Sequence, residues 1–135
     1  MNFYITTPIY YTNDIPHIGH AYTTIACDII ARYNKLCDND VYFLSGTDEH
    51  GQKVEKAAGN AKLDPKIFVD KLSSNFKKLI TITGCEIDDF IRTTEERHIK
   101  SVQNLWNILL DNNQIYLSKY SGWYSVSDEA FYNEN

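Results

Sequence analysis

The chain has 135 residues, of which 43% are hydrophobic and 23% charged, a composition typical of a globular fold with its own core. Its formal net charge of −5 argues against a stand-alone nucleic-acid-binding protein, since such proteins carry a basic face. No apolar run reaches the roughly 18 residues needed to span a bilayer, and no basic segment followed by an apolar one opens the chain as a secretion signal would.

The cysteines indicate the compartment. Cys27, Cys37 and Cys85 are three in number and lack paired spacing. This pattern argues against a disulfide framework or a zinc knuckle and is typical of reduced, buried thiols. We therefore expect a cytoplasmic setting.

The first elements predict a βαβ unit. Residues 2–7 form a short aromatic and β-branched run that Pro8 ends, which predicts a buried strand. After a turn-rich loop, residues 17–36 have helical periodicity, with Pro16 suited to the first turn. A second strand is predicted over 41–46, so the two strands should be parallel. The helix should bury the apolar stripe formed by Ile18, Tyr22, Ile25, Ile29 and Tyr33.

Further helices and strands follow. A short helix is predicted over 52–62, and Asp64 with Pro65 at the first position should begin the next one. Residues 84–94 lead into a strand, and Thr93 with Glu96 has capping-box spacing for a last helix. The stripe of the third helix consists of Phe68, Leu72, Phe76 and Leu79.

The character of the chain changes near residue 114. Residues 114–132 are aromatic, polar and alternating with a Ser-Gly turn, which predicts antiparallel strands. We expect residues 1–113 to form the first half of a catalytic domain and residues 114–135 to begin an inserted module. Because the sequence stops directly after a strand-like run, we expect a piece of a longer protein.

One unusual cluster is Pro16-His17-Ile18-Gly19-His20. At i and i+3 on a helix, His17 and His20 share a face of the first turn, where backbone N–H groups and the helix dipole favour anions. Gly19 leaves the backbone open to a flat ligand. These features suit a nucleoside triphosphate whose phosphates the histidines stabilise as charge builds. Alternatively, the histidines only cap the helix or form a metal pair.

A second cluster, Asp48-Glu49-His50, follows the second strand. The carboxyl ends of parallel strands meet at one edge of a sheet, so both clusters should share that edge. There Asp48 can bind an ammonium group, a ribose hydroxyl or Mg²⁺, or it can cap the next helix. A metal-hydrolase site built from His17, His20, Asp48 and His50 is a further alternative.

The remaining polar and aromatic residues have simpler interpretations. Tyr10 and Tyr11 are expected to be packing residues, although Tyr11 can also close a small apolar pocket beside Pro8 and Ile9. A side chain in that pocket with its amine on Asp48 would belong to an amino acid. Arg92 and Arg97 are interpreted as solvated surface residues.

The motifs resemble those of a known family. PHIGHAY resembles the HIGH motif of class I aminoacyl-tRNA synthetases, and TTPIYY with FLSGTDEHGQK resembles the methionine-specific branch. DDFIRTT and GWYSVSDEAFY extend the likeness over essentially the whole chain. The resemblance implies a Rossmann-like parallel sheet, the nucleotide-binding fold of class I synthetases, with the start of the inserted antiparallel connective module.

The resemblance also implies an activity and its residues. The reaction would be ATP-dependent activation of L-methionine and transfer to tRNA(Met), with Mg²⁺ accompanying ATP. By motif position, His17, Gly19 and His20 would contact ATP, and His17 and His20 would be catalytic. The methionine site would consist of Pro8, Ile9, Tyr11 and Asp48.

Two departures from the family pattern qualify this. Ser125 and Asp128 stand where relatives carry zinc-knuckle cysteines, so no zinc is predicted here. The K-M-S-K-S signature and anticodon-binding helices do not occur in these residues, so most tRNA contacts should lie elsewhere. A small nucleotidylyltransferase with an H-x-G-H motif, and an inactive or split module that only binds nucleotide or methionine, remain alternatives.

Overall fold

The computed structural model describes residues 1–132. The chain divides into two compact units, Met1–Ile99 and Lys100–Asn135. The predicted boundary at 113/114 instead lies just after the last helix, which ends at Asp111, and it stays a prediction. The elements are β1 Asn2–Thr6, β2 Tyr10–Tyr11, α1 Ile18–Leu36, β3 Asp40–Asp48, α2 Gln52–Asn60, α3 Pro65–Ile82, β4 Asp89–Arg92, α4 Glu96–Asp111, β5 Trp123–Ser125 and β6 Ala130–Tyr132.

The sheet of the first unit is parallel and has β3 at its centre. β1 pairs with the first half of β3, with Asn2 opposite Asp40, and the short β2 pairs with its end, with Tyr11 opposite Asp48. β4 pairs with β3 on the other side, with Thr47 opposite Arg92. This confirms the Rossmann-like α/β class and places the carboxyl ends of β2, β3 and β4 at one edge.

The strand β1 is less buried than its sequence predicts. Tyr4 is 61% exposed, and Phe3 and Ile5 are only partly buried. Of the described strands, only β3 pairs with β1. Tyr4 stacks on Tyr42 with ring centroids 6.0 Å apart, which shields part of this surface. The expectation of a buried strand was therefore wrong.

Helix α1 has the predicted extent, but a different face of it packs on the sheet. Pro16 precedes the helix instead of lying in its first turn, because His17 is the N-cap. The face that packs on the sheet carries small or polar residues, which let the helix lie close to the strands: Ala21, Thr24, Asp28 and Ala31. The predicted stripe is exposed, with Tyr22 at 76% and Tyr33 at 65%.

Asp28 explains this orientation. Its buried carboxylate accepts hydrogen bonds from Arg32 Nε at 2.6 Å and from the Glu86 backbone N–H at 2.8 Å, and Arg32 Nη2 also donates to the Gly84 carbonyl. A buried carboxylate needs such donors. The polar side of α1 is therefore fixed to the loop between α3 and β4.

Helix α3 begins as predicted. The Asp64 carboxylate accepts from the backbone N–H groups of Lys66 and Ile67, and Pro65 occupies the first turn. Leu72 and Phe76 are buried as expected. At the two ends of the stripe, the buried residues are Val69 and Ile80, each one position after the predicted residue. Phe68 and Leu79 are only partly buried.

The cap of α3 gives a first testable prediction. Asp64→Ala removes the acceptor for two amides and should cost about 1 kcal/mol of local stability. Hydrogen exchange of the Lys66 and Ile67 amides should become about fivefold faster, while Asp64→Asn, which keeps an acceptor, should change it little. Equal exchange in the two variants would contradict the cap.

The predicted capping box of α4 does not form. Thr93 Oγ1 instead accepts a hydrogen bond from the Glu49 backbone N–H at 2.9 Å. The first turn of α4 closes on the carbonyl of Glu95. Thr93 therefore connects β4 to the residues after β3.

The second unit contains the predicted antiparallel pairing, but over fewer residues. β5 and β6 pair with Trp123 opposite Tyr132, and the turn between them spans residues 126–129 instead of the expected Ser-Gly. Residues 115–121 form no strand. Within residues 1–132, no helix has the length and apolar character needed to cross a membrane.

Candidate active site

The first cluster lies at the start of α1, where both imidazoles cap backbone N–H groups of the first turn. His17 Nδ1 accepts from the Gly19 N–H at 3.1 Å, and His20 Nδ1 accepts from the His17 N–H at 3.0 Å. The two rings lie 3.9 Å apart between centroids. The histidines therefore cap the helix, which was one of the alternatives. The Gly19 N–H was expected to be open to an anion, but it is bonded to the His17 ring.

This geometry fixes the tautomer of both rings. Since each Nδ1 accepts a hydrogen bond, the ring proton must be on Nε2. Burial, followed by the neighbouring His17, lowers the pKa of His20 below 6.5, which keeps its imidazole neutral at neutral pH. The described residues place no hydrogen-bond partner on either Nε2. Two N–H donors are thus available to a ligand.

Gly19 serves the ring of His17. A Cβ at position 19 would lie 3.0 Å from His17 Cε1 and 3.1 Å from its Nδ1, closer than most real contacts. The absence of a side chain therefore lets the imidazole lie over the helix start. This role differs from the predicted close approach of a ligand to the backbone.

Tyr10 supports this cluster from the core, as the packing interpretation expected. Its hydroxyl hydrogen-bonds with Thr24 Oγ1 at 2.8 Å and donates to the His20 carbonyl. Its ring stacks on Phe76 and meets the edge of His20 at 4.9 Å. Burial raises the pKa of Tyr10, so the hydroxyl stays protonated and holds the first turn of α1.

The second cluster lies beside the first, as its position in the sheet predicts. Asp48 ends β3, and its carbonyl accepts from both the N–H and the Oγ1 of Thr12. Its carboxylate is partly exposed and accepts only a long 3.4 Å contact from the His50 N–H. Helix α2 begins after Gly51 without a side-chain cap, so the alternative that Asp48 caps it was wrong.

The predicted methionine residues Pro8, Ile9 and Tyr11 lie in β2 and in the loop before it. Tyr11 pairs in register with Asp48, whereas Pro8 and Ile9 lie in the exposed loop before β2, with Ile9 46% exposed. The cavities of about 540 and 510 Å³ beside α3 are lined by other residues. The assignment of Pro8, Ile9 and Tyr11 to a methionine site stays a prediction.

The structure does not gather these side chains into a metal centre. His50 Nε2 lies 3.3 Å from the Thr93 carbonyl, and residues 1–132 contain no group of three or more His, Cys, Asp or Glu arranged to hold a metal ion. The convergence that a metal hydrolase requires is missing from this part of the chain. Ser125 Oγ donates to Asp128 within the β5–β6 turn at 2.6 Å.

Sequence reasoning missed a buried ion pair at this edge. Arg92, predicted to be solvated, donates through Nε and Nη2 to the two carboxylate oxygens of Glu49 at 2.7 and 2.9 Å. The side chain of Glu49 is fully buried. Arg97 is half exposed and pairs with Asp89 and Glu95. Strand alternation could have revealed Glu49, because it shares a face with buried Thr47.

Comparison with known proteins decides the family. The family model described as tRNA synthetases class I (M) matches residues 3–135. The chain belongs to the class I (M) tRNA synthetases. Similar members of this family include the methionine–tRNA ligase of Rickettsia prowazekii, 61% identical over 133 residues, and that of Halalkalibacterium halodurans, 56% identical over 132 residues.

A solved class I (M) synthetase has the same fold. The Mycobacterium tuberculosis methionyl-tRNA synthetase bound by methionyl-adenylate is 44% identical, with a TM-score of 0.94 over 99% of this chain. The alignments with the two ligases include 98% of this chain but only 26% and 20% of the ligases. The alignment with the solved structure includes 26% of that chain. This chain thus spans about a quarter of the relatives it matches.

Proposed function

We propose that the protein activates L-methionine with ATP to form methionyl-adenylate and then transfers the methionyl group to tRNA(Met) in the cytoplasm. The observation that carries this is the likeness of the whole chain to a synthetase crystallised with methionyl-adenylate. The open Nε2–H donors of His17 and His20 and the carboxylate of Asp48, at one sheet edge, fit that substrate.

The chemistry requires positioning more than proton transfer. The methionine carboxylate is already ionised; its oxygen attacks the α-phosphorus of ATP while the bond to the β-phosphate breaks and pyrophosphate leaves. No general base is needed, so catalysis rests on orientation and charge stabilisation. Mg²⁺ enters with ATP as part of the substrate.

Each residue then has a role. His17 and His20 donate their Nε2–H groups to phosphate oxygens, and Gly19 gives the His17 ring its place. Asp48 binds the ammonium group, while Tyr11, with Pro8 and Ile9, forms one wall for the thioether side chain. That wall selects by shape, since sulfur makes only soft, weak contacts.

The alternatives differ in what they require. The relatives reported above are methionine–tRNA ligases, which favours this activity over a small nucleotidylyltransferase. An inactive or split module would keep the same edge of the sheet and bind without turnover. Methionine-dependent exchange of pyrophosphate into ATP separates these cases: its absence in the protein as its gene encodes it would overturn the proposal.

Asp48 gives the specific test. Asp48→Ala removes a charge-assisted contact to the substrate ammonium, worth about 1.5–3 kcal/mol, so the KM for methionine should rise roughly 10- to 150-fold with the KM for ATP little changed. Asp40→Ala, at the opposite, exposed end of the same strand, is the control. An unchanged methionine KM in Asp48→Ala would remove Asp48 from the site.

A further inference from the structure

The carboxylate next to Asp48 is buried and fully occupied. Glu49 accepts the bidentate pair of hydrogen bonds from Arg92, and Thr47 Oγ1 donates to Glu49 Oε1 at 2.8 Å. Thr94 Oγ1 donates to Oε2. A buried ion pair seldom stabilises a fold by itself, because removing both charges from water costs about as much as their attraction returns. The energetic case for Glu49 and Arg92 as mere structural residues is therefore weak.

The pair connects three elements at the carboxyl edge of the sheet. Arg92 ends β4, and its Nη2 also bonds the carboxylate of Asp70 in α3. The Glu49 backbone N–H donates to Thr93 Oγ1, and His50 Nε2 meets the Thr93 carbonyl. The residues that follow β3 are thus held to β4 and α3 on both sides of Glu49.

The residues on either side of Asp48 show which way its side chain points. Side chains alternate along a strand, and Thr47 and Glu49 are 0% and 4% exposed, so both point into the protein. Asp48 between them must point to the other face, where its carboxylate is partly open. Its own contacts are backbone ones, from Thr12 to its carbonyl, apart from the long contact from His50.

We infer that Glu49 and Arg92 are positioning residues that aim the Asp48 carboxylate at the ammonium group of the amino-acid substrate. The inference rests on the proposed function and adds a specificity device to it. Arginine suits this task because its planar fork fixes an orientation that a lysine ammonium cannot.

The charges support a permanent pair. Burial alone would raise the pKa of Glu49, but hydrogen bonds from Arg92, Thr94 and Thr47 outweigh it and hold the pKa below 4.5. The hydrogen bond to Glu49 raises the pKa of Arg92. Since the folded-state pKa of Glu49 is depressed, the pair's contribution is complete above pH 4.5 and is lost only as the pH falls through that lower value.

The test compares methionine with its deaminated analogue, 4-(methylsulfanyl)butanoate, in the protein as its gene encodes it. Arg92→Lys keeps the charge but loses the fork, and Glu49→Gln keeps the shape but loses the charge. We expect each to raise the KM for methionine about tenfold, leaving the KM for ATP and the inhibition constant of the analogue unchanged. A general loosening of the site would instead weaken the binding of methionine, ATP and the analogue together.

A double-mutant cycle with Asp48→Ala sharpens this test. If Arg92 acts through Asp48, then Arg92→Lys should have no further effect on the methionine KM once Asp48 is alanine. Arg97→Lys is the matched control, since Arg97 also pairs with two carboxylates but does not contact Glu49. Glu49→Gln carries the same test if Arg92→Lys does not fold.

The outcomes are distinct. If the wild-type protein lacks methionine-dependent exchange, both the proposed function and this inference are overturned. In a second case, the wild type is active and Asp48→Ala raises the methionine KM. If Glu49→Gln and Arg92→Lys then leave the methionine KM unchanged, or weaken the binding of the analogue and ATP as much as that of methionine, only the positioning role is overturned.

Discussion

Gly46→Ala should destabilise the protein more than Asp64→Ala does. A Cβ at position 46 would lie 2.2 Å from the carbonyl oxygen of Ile91 and 2.6 Å from its Cγ2. Gly46 is buried in β3 and opposite Ile91 in β4, so backbone would have to move. Overpacking of this kind costs typically 1–3 kcal/mol, and we expect about 3 kcal/mol because the obstructing atom is backbone.

Hydrogen exchange of the β3 and β4 amides measures this loss. The matched control is Gly59→Ala in α2, where a Cβ would meet nothing within 4 Å and alanine should add about 0.5–1 kcal/mol to helix stability. If both substitutions left the β3 and β4 amides equally protected, the close approach of the two strands at Gly46 would be contradicted.

His20 should give the largest effect on catalysis. Its Nε2–H is proposed to donate to a phosphate oxygen whose charge grows during attack, so His20→Ala should lower the rate of activation about 10²- to 10³-fold. The methionine KM should change little, because the contact is stronger in the transition state than in the ground state. Equal losses of methionine affinity and rate would contradict this role.

Two further variants separate catalysis from capping. His20→Asn keeps an acceptor near the position of Nδ1, which caps the His17 N–H, but it loses the distal donor. His20→Gln loses the near acceptor but keeps a distal N–H. If the donor matters, Asn should be as slow as Ala and Gln partly active; the reverse order would show that the cap alone explains the motif.

The sequence was most informative where structure is decided locally. The Asp64 cap with Pro65 and the βαβ order depend on neighbouring residues and on strand-helix-strand spacing, and both are present in the fold. Periodicity showed that Ile18, Tyr22 and Tyr33 share a face of α1, but not which face meets the sheet. Small residues and the buried contacts of Asp28 decided that, and those contacts join parts of the chain that are far apart in sequence.

The site shows the same distinction. The HIGH motif and Asp48 can be singled out from residue type and spacing, and their roles stay predictions. For Arg92 the sequence predicts a surface position, because nothing near it indicates a buried partner; Glu49 lies 43 positions away and meets it through the β3–β4 pairing. For Thr93 the sequence predicts a helix cap, because its actual partner, the Glu49 N–H, follows another strand.

The capping of backbone N–H groups by His17 and His20 has a consequence for the cost of binding. Both rings are already held by backbone N–H groups without any ligand, so a ligand that accepts their Nε2–H groups does not have to immobilise them. Side-chain ordering on binding commonly costs about 0.5–1.5 kcal/mol per residue, and here that cost belongs to folding. In the proposed reaction, ordering these two donors therefore adds little to the cost of binding ATP.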